Sequence, residues 1–239
     1  MLTTLLSGHF TIQQVLAQIM AVLVVVFLVL PFHEWAHAFT ASCLGDKGIK
    51  ARGRLSLNPL SHVDPIGALM LLLVGFGWAK PVPVDPRYFK NPKLGMAITA
   101  LMGPVANLVA ALAGLLVLNF CAVVFPHSLA TEAILHNGNV IYYGNQTILL
   151  YFLAFYIQVN VSLAVFNLIP VPPLDGSKVM FLFLPDKAVE FFYRYQQIFF
   201  IVLFVLMWRG AFSGVMNACT GWLIRGLQWL AFLPFMPFV

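Results

Sequence analysis

Charged positions are missing from long stretches of this chain, and the gaps between them mark out its elements. No Asp, Glu, Lys or Arg precedes Glu34. None falls between Lys93 and Glu132, between Glu132 and Asp175, or between Arg194 and Arg209, and beyond Arg209 only Arg225 is charged. A helix rises about 1.5 Å per residue, so roughly 20 apolar residues cross the hydrocarbon of a bilayer. The uncharged tracts therefore predict five spanning helices, near residues 12 to 44, 94 to 124, 146 to 169, 190 to 208 and 212 to 233. The expected fold class is an all-α membrane protein.

The longest connection, residues 45 to 93, is not simply polar. Its stretch from Pro65 to Trp78 is mostly apolar and holds Gly67, Gly75 and Gly77. At about 14 residues it is short for a span and reads better as a re-entrant or interfacial segment. Lys80-Pro-Val-Pro-Val-Asp85 then alternates and is kept extended by its prolines, so a short β segment or surface loop is expected between the first two helices. No repeat, low-complexity run or charged linker divides the chain, and the inter-helix tracts are too short for another module of ordinary size. The expected organisation is one polytopic membrane domain over residues 1–239, with its core at about 12–185 and two further helices at about 190–233.

Composition agrees: 61% of residues are hydrophobic and 9% charged, where soluble domains carry about 25% charged residues. The formal charge of +5 would suit nucleic acid if it formed a patch. Instead Lys47, Lys50, Arg52, Arg54, Lys80, Arg87, Lys90 and Lys93 all lie between the first two helices, which makes that loop cytoplasmic by the positive-inside rule. Residues 125 to 146, without Lys or Arg, should face outward, and Lys178, Lys187 and Arg194 bring the next loop back inside. The N-terminus is then outside. The expected surroundings are a lipid bilayer and no nucleic acid. The first helix lacks the basic start and cleavage site of a signal peptide and is read as retained. Cys43, Cys121 and Cys219 are too widely spaced for a disulfide framework or a metal knuckle and are assigned to packing.

The candidate chemistry lies at the cytoplasmic end of the first helix, in Pro31-Phe-His-Glu-Trp-Ala-His37. Residues four apart share a helical face, so His33 and His37 can direct imidazole nitrogens at one metal roughly 2 Å from each, with Glu34 beside them to take a proton from water. As a bare pattern the motif also arises by chance in soluble helices. Within an apolar span, a carboxylate between two histidines is costly and marks a functional site. Pro31 removes a backbone hydrogen bond and either kinks the helix just before the site or is an ordinary membrane-helix proline.

Catalytic zinc takes three protein ligands and keeps one position open, so a third ligand is required. The third helix runs inward and ends in Asn167-Leu-Ile-Pro-Val-Pro-Pro-Leu-Asp-Gly176, which delivers Asp175 to the side where the histidines lie. Its competing roles are a turn, or the N-cap of a short helix opened by Asp175-Gly-Ser-Lys.

Taken together, these residues identify a resemblance to the site-2 proteases, intramembrane metalloproteases that cleave membrane-anchored proteins. It covers most of residues 12 to 185 and rests on His33-Glu34-x-x-His37, Gly103-Pro-Val-Ala-Asn107, and Asn167 with Asp175-Gly176. The resemblance implies zinc (Zn2+) held by His33, His37 and Asp175, with Glu34 as the water-activating base. It also implies Asn107 and Asn167 as polar groups near the active site, although buried amides also hold membrane helices together. Many members carry a PDZ or CBS module, and no tract here is long enough for either. The expected function is hydrolysis of peptide bonds in membrane-anchored protein substrates near the cytoplasmic side. A membrane-protein regulator and the oligomeric state are left open. Because a helical substrate must unwind, its freed backbone needs partners. Gly75, Phe76 and Gly77, leading into the extended stretch, are the candidate edge for strand addition, against a plain surface anchor at Trp78.

The rival class is a metal or proton transporter using the His, Glu and Asp residues, but it would spread polar groups across the bilayer instead of clustering them at one side. His62 and Asp64 are assigned to loop or membrane-surface roles, and His9, His127 and His136 to the outer side. Ala211-Phe-Ser-Gly214 lacks the glycine expected before the serine of a rhomboid-type protease.

Overall fold

The computed structural model describes residues 12–74, 78–124, 131–136, 139–144 and 148–238. Helix α1 (Ile12–Val24) passes through a π-helical turn (Val25–Val29) into α2 (Leu30–Cys43). In that turn the Leu30 N–H bonds the Val25 carbonyl, five residues back. Pro31 follows at once, with no N–H to offer the preceding turn. A π turn is one way a helix absorbs such a defect, and the span Ile19–Cys43 runs through it as a single helix.

After α3 (Gly48–Ala51) and a 3-10 turn at Pro59–Ser61 comes α4 (Pro65–Val74), capped by Asp64, whose Oδ1 accepts from the N–H groups of Ile66 and Gly67 at 2.9 Å each. The expected β segment is reduced to one antiparallel bridge between Val63 and Ala79, with the Lys80 N–H donating to the His62 carbonyl at 2.7 Å. Gly75, Phe76 and Gly77 lie outside the described residues.

Helix α5 (Pro92–Val124) is followed by an antiparallel hairpin of β1 (Thr131–His136) and β2 (Asn139–Gly144). Its sequence signal is Asn137-Gly138 set between runs containing Ile, Val and Tyr. Then come α6 (Ile148–Asn167), α7 (Asp175–Phe181), α8 (Asp186–Arg194), α9 (Gln196–Trp208) and α10 (Ser213–Phe232).

Among the described residues, three helical stretches are long and apolar enough to cross a membrane: Ile19–Cys43, Pro92–Val124 and Leu149–Asn167. The pair α8 and α9, bent by 66°, meets the same test together and raises the number to four. Helix α10 is 20 residues long but carries Asn217, Thr220, Arg225 and Gln228, and does not qualify. Three of the five expected spans thus stand as long apolar helices, the 190–208 tract is a bent pair and the 212–233 tract a helix outside the span test, in a multi-pass membrane architecture.

Lipid is as apolar as Leu, so helices in a bilayer associate through close packing of small residues and a few polar contacts. The buried face of α5 fits this, with Gly95, Ala97, Ala100, Gly103, Ala106, Ala111 and Gly114. It packs with α6 and α10 through Leu115, Leu118, Leu153, Ile157 and Ile224. Val22, Val25, Val26 and Val29 pack α1 and the π turn against Val159 and Leu163 of α6. The Gln228 side-chain N–H of α10 donates to Asn119 Oδ1 of α5 at 3.0 Å.

Candidate metal centre

His33 and His37 stand one turn apart on the buried face of α2, with their Nε2 atoms 3.0 Å from each other. Asp175 opens α7 and brings its Oδ2 to 3.3 Å from His33 Nε2 and 3.2 Å from His37 Nε2. Leu174, not Asp175, is the cap residue of α7, so the N-cap role is replaced by a carboxylate directed at the histidines.

Two glycines permit this convergence. A Cβ on Gly103 would lie 2.5 Å from Cε1 of both imidazoles, so α5 can press against the histidines only without a side chain there. A Cβ on Gly176 would lie 2.5 Å from the Leu168 carbonyl carbon and 2.7 Å from the Ile169 carbonyl oxygen. The chain thus doubles back tightly between α6 and α7 and sets Asp175 under α2.

The tautomer of His37 follows from its other contact. Its Nδ1 lies 2.7 Å from the Thr99 carbonyl oxygen, which can only accept, so Nδ1 donates and Nε2 is the atom turned to Asp175. Facing a carboxylate oxygen at 3.2 Å, Nε2 is satisfied either by a proton or by a metal cation held between the two. Tetrahedral zinc with bonds of about 2.0–2.1 Å needs donor atoms about 3.3 Å apart. The observed separations of 3.0 to 3.3 Å therefore fit it. Asp175 keeps Oδ1 for Lys178 Nζ at 3.3 Å, so one oxygen is turned to the histidines and the other is held by an ammonium group. Among the described residues, His33, His37 and Asp175 form the one cluster of three or more such ligands.

The cluster lines a cavity of about 1060 Å³, and Glu34 lies on the same wall. Glu34 Oε2 accepts a hydrogen bond from the Val82 backbone N–H at 3.1 Å.

Sequence comparison joins this geometry to known proteins, for peptidase family M50 matches residues 20–209. The chain belongs to that family. M50 membership, the site-2 protease lineage, makes it a zinc-dependent metallopeptidase acting on protein substrates. This M50 peptidase is 38% identical over 184 residues to the candidate zinc metalloprotease YwhC of Bacillus subtilis, covering 76% of this chain and 78% of that protein. It is 31% identical over 149 residues to the candidate zinc metalloprotease Rip2 of Mycolicibacterium smegmatis, covering 60% of this chain and 49% of that one. With Rip2 of Mycobacterium tuberculosis the identity is 28% over 207 residues, 83% and 68% of the two chains. No solved structure matches the chain.

The M50 peptidase places the remaining expected residues unevenly. Asn167 lines the cavity, and its amide nitrogen donates to the Leu163 carbonyl at 3.1 Å. Asn107 is fully buried but off the cavity wall, and neither polar atom of its side chain has a hydrogen-bond partner among the described residues. His62, expected in a loop or membrane-surface role, lies fully buried within its loop, donating from Nε2 to the Ser56 carbonyl at 2.6 Å. Thr99, Lys178 and Val82 were not foreseen. Thr99 and Val82 act through backbone atoms, which every residue carries, and Lys178 reads in sequence only as a topological charge.

Proposed function

We propose that this M50 peptidase hydrolyses peptide bonds of membrane-anchored proteins near the cytoplasmic face of the bilayer. In this reading His33, His37 and Asp175 are the zinc ligands and Glu34 moves the proton. The observation that carries it is the triangle of two imidazole nitrogens and one carboxylate oxygen, 3.0 to 3.3 Å on each side, assembled from α2 and α7. When bound there, zinc supplies the Lewis acidity that brings the pKa of water towards about 7 and polarises a scissile carbonyl.

The chain's own groups do the rest. The Thr99 carbonyl fixes the His37 tautomer, and Lys178 occupies Asp175 Oδ1, so both ligands are held from behind. Glu34 takes a proton from the attacking water and returns it to the amide nitrogen as the C–N bond breaks, which conserves protons over the cycle. Asn167, on the cavity wall, and Asn107, one turn beyond Gly103 on α5, support the site with their amides. Gly75, Phe76 and Gly77 receive the unwound substrate as an added strand. The wider reading is one domain of five spans, with the N-terminus outside and both the basic loop and Asp175 on the cytoplasmic side. It rests on the placement of Lys and Arg.

The test uses full-length enzyme in proteoliposomes with a membrane-anchored substrate. Glu34→Gln is expected to keep near-stoichiometric zinc and lose cleavage, while His33→Ala, His37→Ala and Asp175→Ala lose zinc affinity as well. Normal zinc binding by Asp175→Ala would falsify the ligand assignment.

A further inference from the structure

The stretch from Lys80 to Asp85 runs along the cavity as a strap, with Ala79, Pro81, Val82, Pro83 and Val84 on the wall and a tight turn at Pro83, where the Val84 N–H donates to the Val82 carbonyl at 3.0 Å. It is tied at both ends. At one end are the Val63–Ala79 bridge and the Lys80 N–H bond to His62. At the other, the Asp85 N–H donates to Oδ2 of the fully buried Asp46 at 2.9 Å, and Arg52 Nη2 donates to that same oxygen at 3.1 Å and to the Pro83 carbonyl at 3.0 Å. Between the ties, the Val82 and Val84 side chains pack beside Ile49, Phe89 and Met96. Proline has no N–H, so Pro81 and Pro83 leave Val82 as the sole backbone donor in that tripeptide. Its N–H is the one that meets Glu34 Oε2, at 3.1 Å.

We propose that the strap is a positioning device for Glu34: the Val82 N–H holds Oε2, which turns Oε1 towards the water between Glu34 and the metal site. The proposal rests on the reading of Glu34 as proton carrier and adds the group that aims it. A glutamate side chain turns about several bonds, and proton transfer needs its acceptor oxygen within hydrogen-bond reach of the water. A charge-assisted bond from an amide fixed at both ends supplies that restraint. The alternating prolines keep the amide from being drawn into a neighbouring strand, and Asp46 and Arg52 set the height of the strap over the site.

Two measurements on the full-length chain test this. The first is amide exchange at single-residue resolution. Glu34→Ala should speed exchange at Val82 by about tenfold or more, with Lys80, bonded to His62, unaffected. Unchanged exchange at Val82 overturns the contact, and it does so whether or not the enzyme cleaves anything, which separates this proposal from the assignment of Glu34.

The second compares Val82→Pro with Val82→Ala in the zinc-loaded enzyme. Both lose the valine packing, the proline path stays extended, and only the alanine keeps the N–H. Val82→Pro should retain zinc and KM yet turn over about ten- to a hundredfold more slowly than Val82→Ala, the scale of one lost charge-assisted bond. Equal kcat for the two variants, or a difference confined to KM, overturns the positioning role. Faster turnover by Val82→Pro overturns it too and makes the strap a brake. If Val82→Pro fails to fold, the exchange measurement alone decides.

Discussion

At the scale of single residues, the centre depends on which atom of each ligand is already occupied. His37 spends Nδ1 on the Thr99 carbonyl, and Asp175 spends Oδ1 on Lys178, so each would have one atom left for a metal. Such outer partners typically change metal affinity about 10- to 100-fold when removed. Lys178→Met is therefore expected to weaken zinc binding by about tenfold, with Lys178→Arg restoring most of it, as measured by competition with a chelator of known affinity. Wild-type affinity in Lys178→Met would remove Lys178 from the support of the site. The pairing of His33 with His37 was legible because residues four apart share one helical face. Asp175 was expected beside them from the placement of Lys and Arg, and its Oδ2 lies 3.3 and 3.2 Å from the two imidazoles. The support was not legible, since a carbonyl at Thr99 and an N–H at Val82 leave no mark on residue identity.

The elements meet through absences of side chain as much as through contacts. Gly103 lets α5 touch both imidazoles, and a Cβ there has no free space. Gly103→Val should push α5 off α2, cost about 1–3 kcal/mol from overpacking, and lower zinc retention along with the unfolding midpoint. Gly214→Ala in α10, where nothing lies within 4 Å of the added carbon, should leave both unchanged. A Gly103→Val enzyme with normal zinc content would mean that α5 yields without disturbing the ligands. At this scale the sequence was readable for long helices, whose period and missing charges repeat over many residues. It was less readable for the π turn ahead of Pro31, which depends on how neighbouring helices take up one defect. The strap was seen as extended, but its tie to Asp46 spans 39 residues in sequence, and no local pattern reports that.

For the molecule as a whole, the arrangement stands or falls on which side each loop faces. In a version lacking Cys43, Cys121 and Cys219, single cysteines at Lys50 and Lys187 should react only with reagent on the cytoplasmic side, and one at His136 only from outside. Labelling of positions 50 and 187 from opposite faces would separate Asp175 from the histidines across the bilayer and end the proposed site. The polar clamp between Gln228 and Asn119 reaches beyond this topology, into how the protein is made. An amide alone in hydrocarbon costs several kcal/mol, and α10 also carries Asn217 and Arg225. In the five-span reading, α10 would enter the bilayer carrying these polar groups, and the bond to Asn119 of α5 would offset part of that cost. On that reading, Asn119→Leu is expected to lower the amount of inserted protein more than the turnover of each inserted molecule.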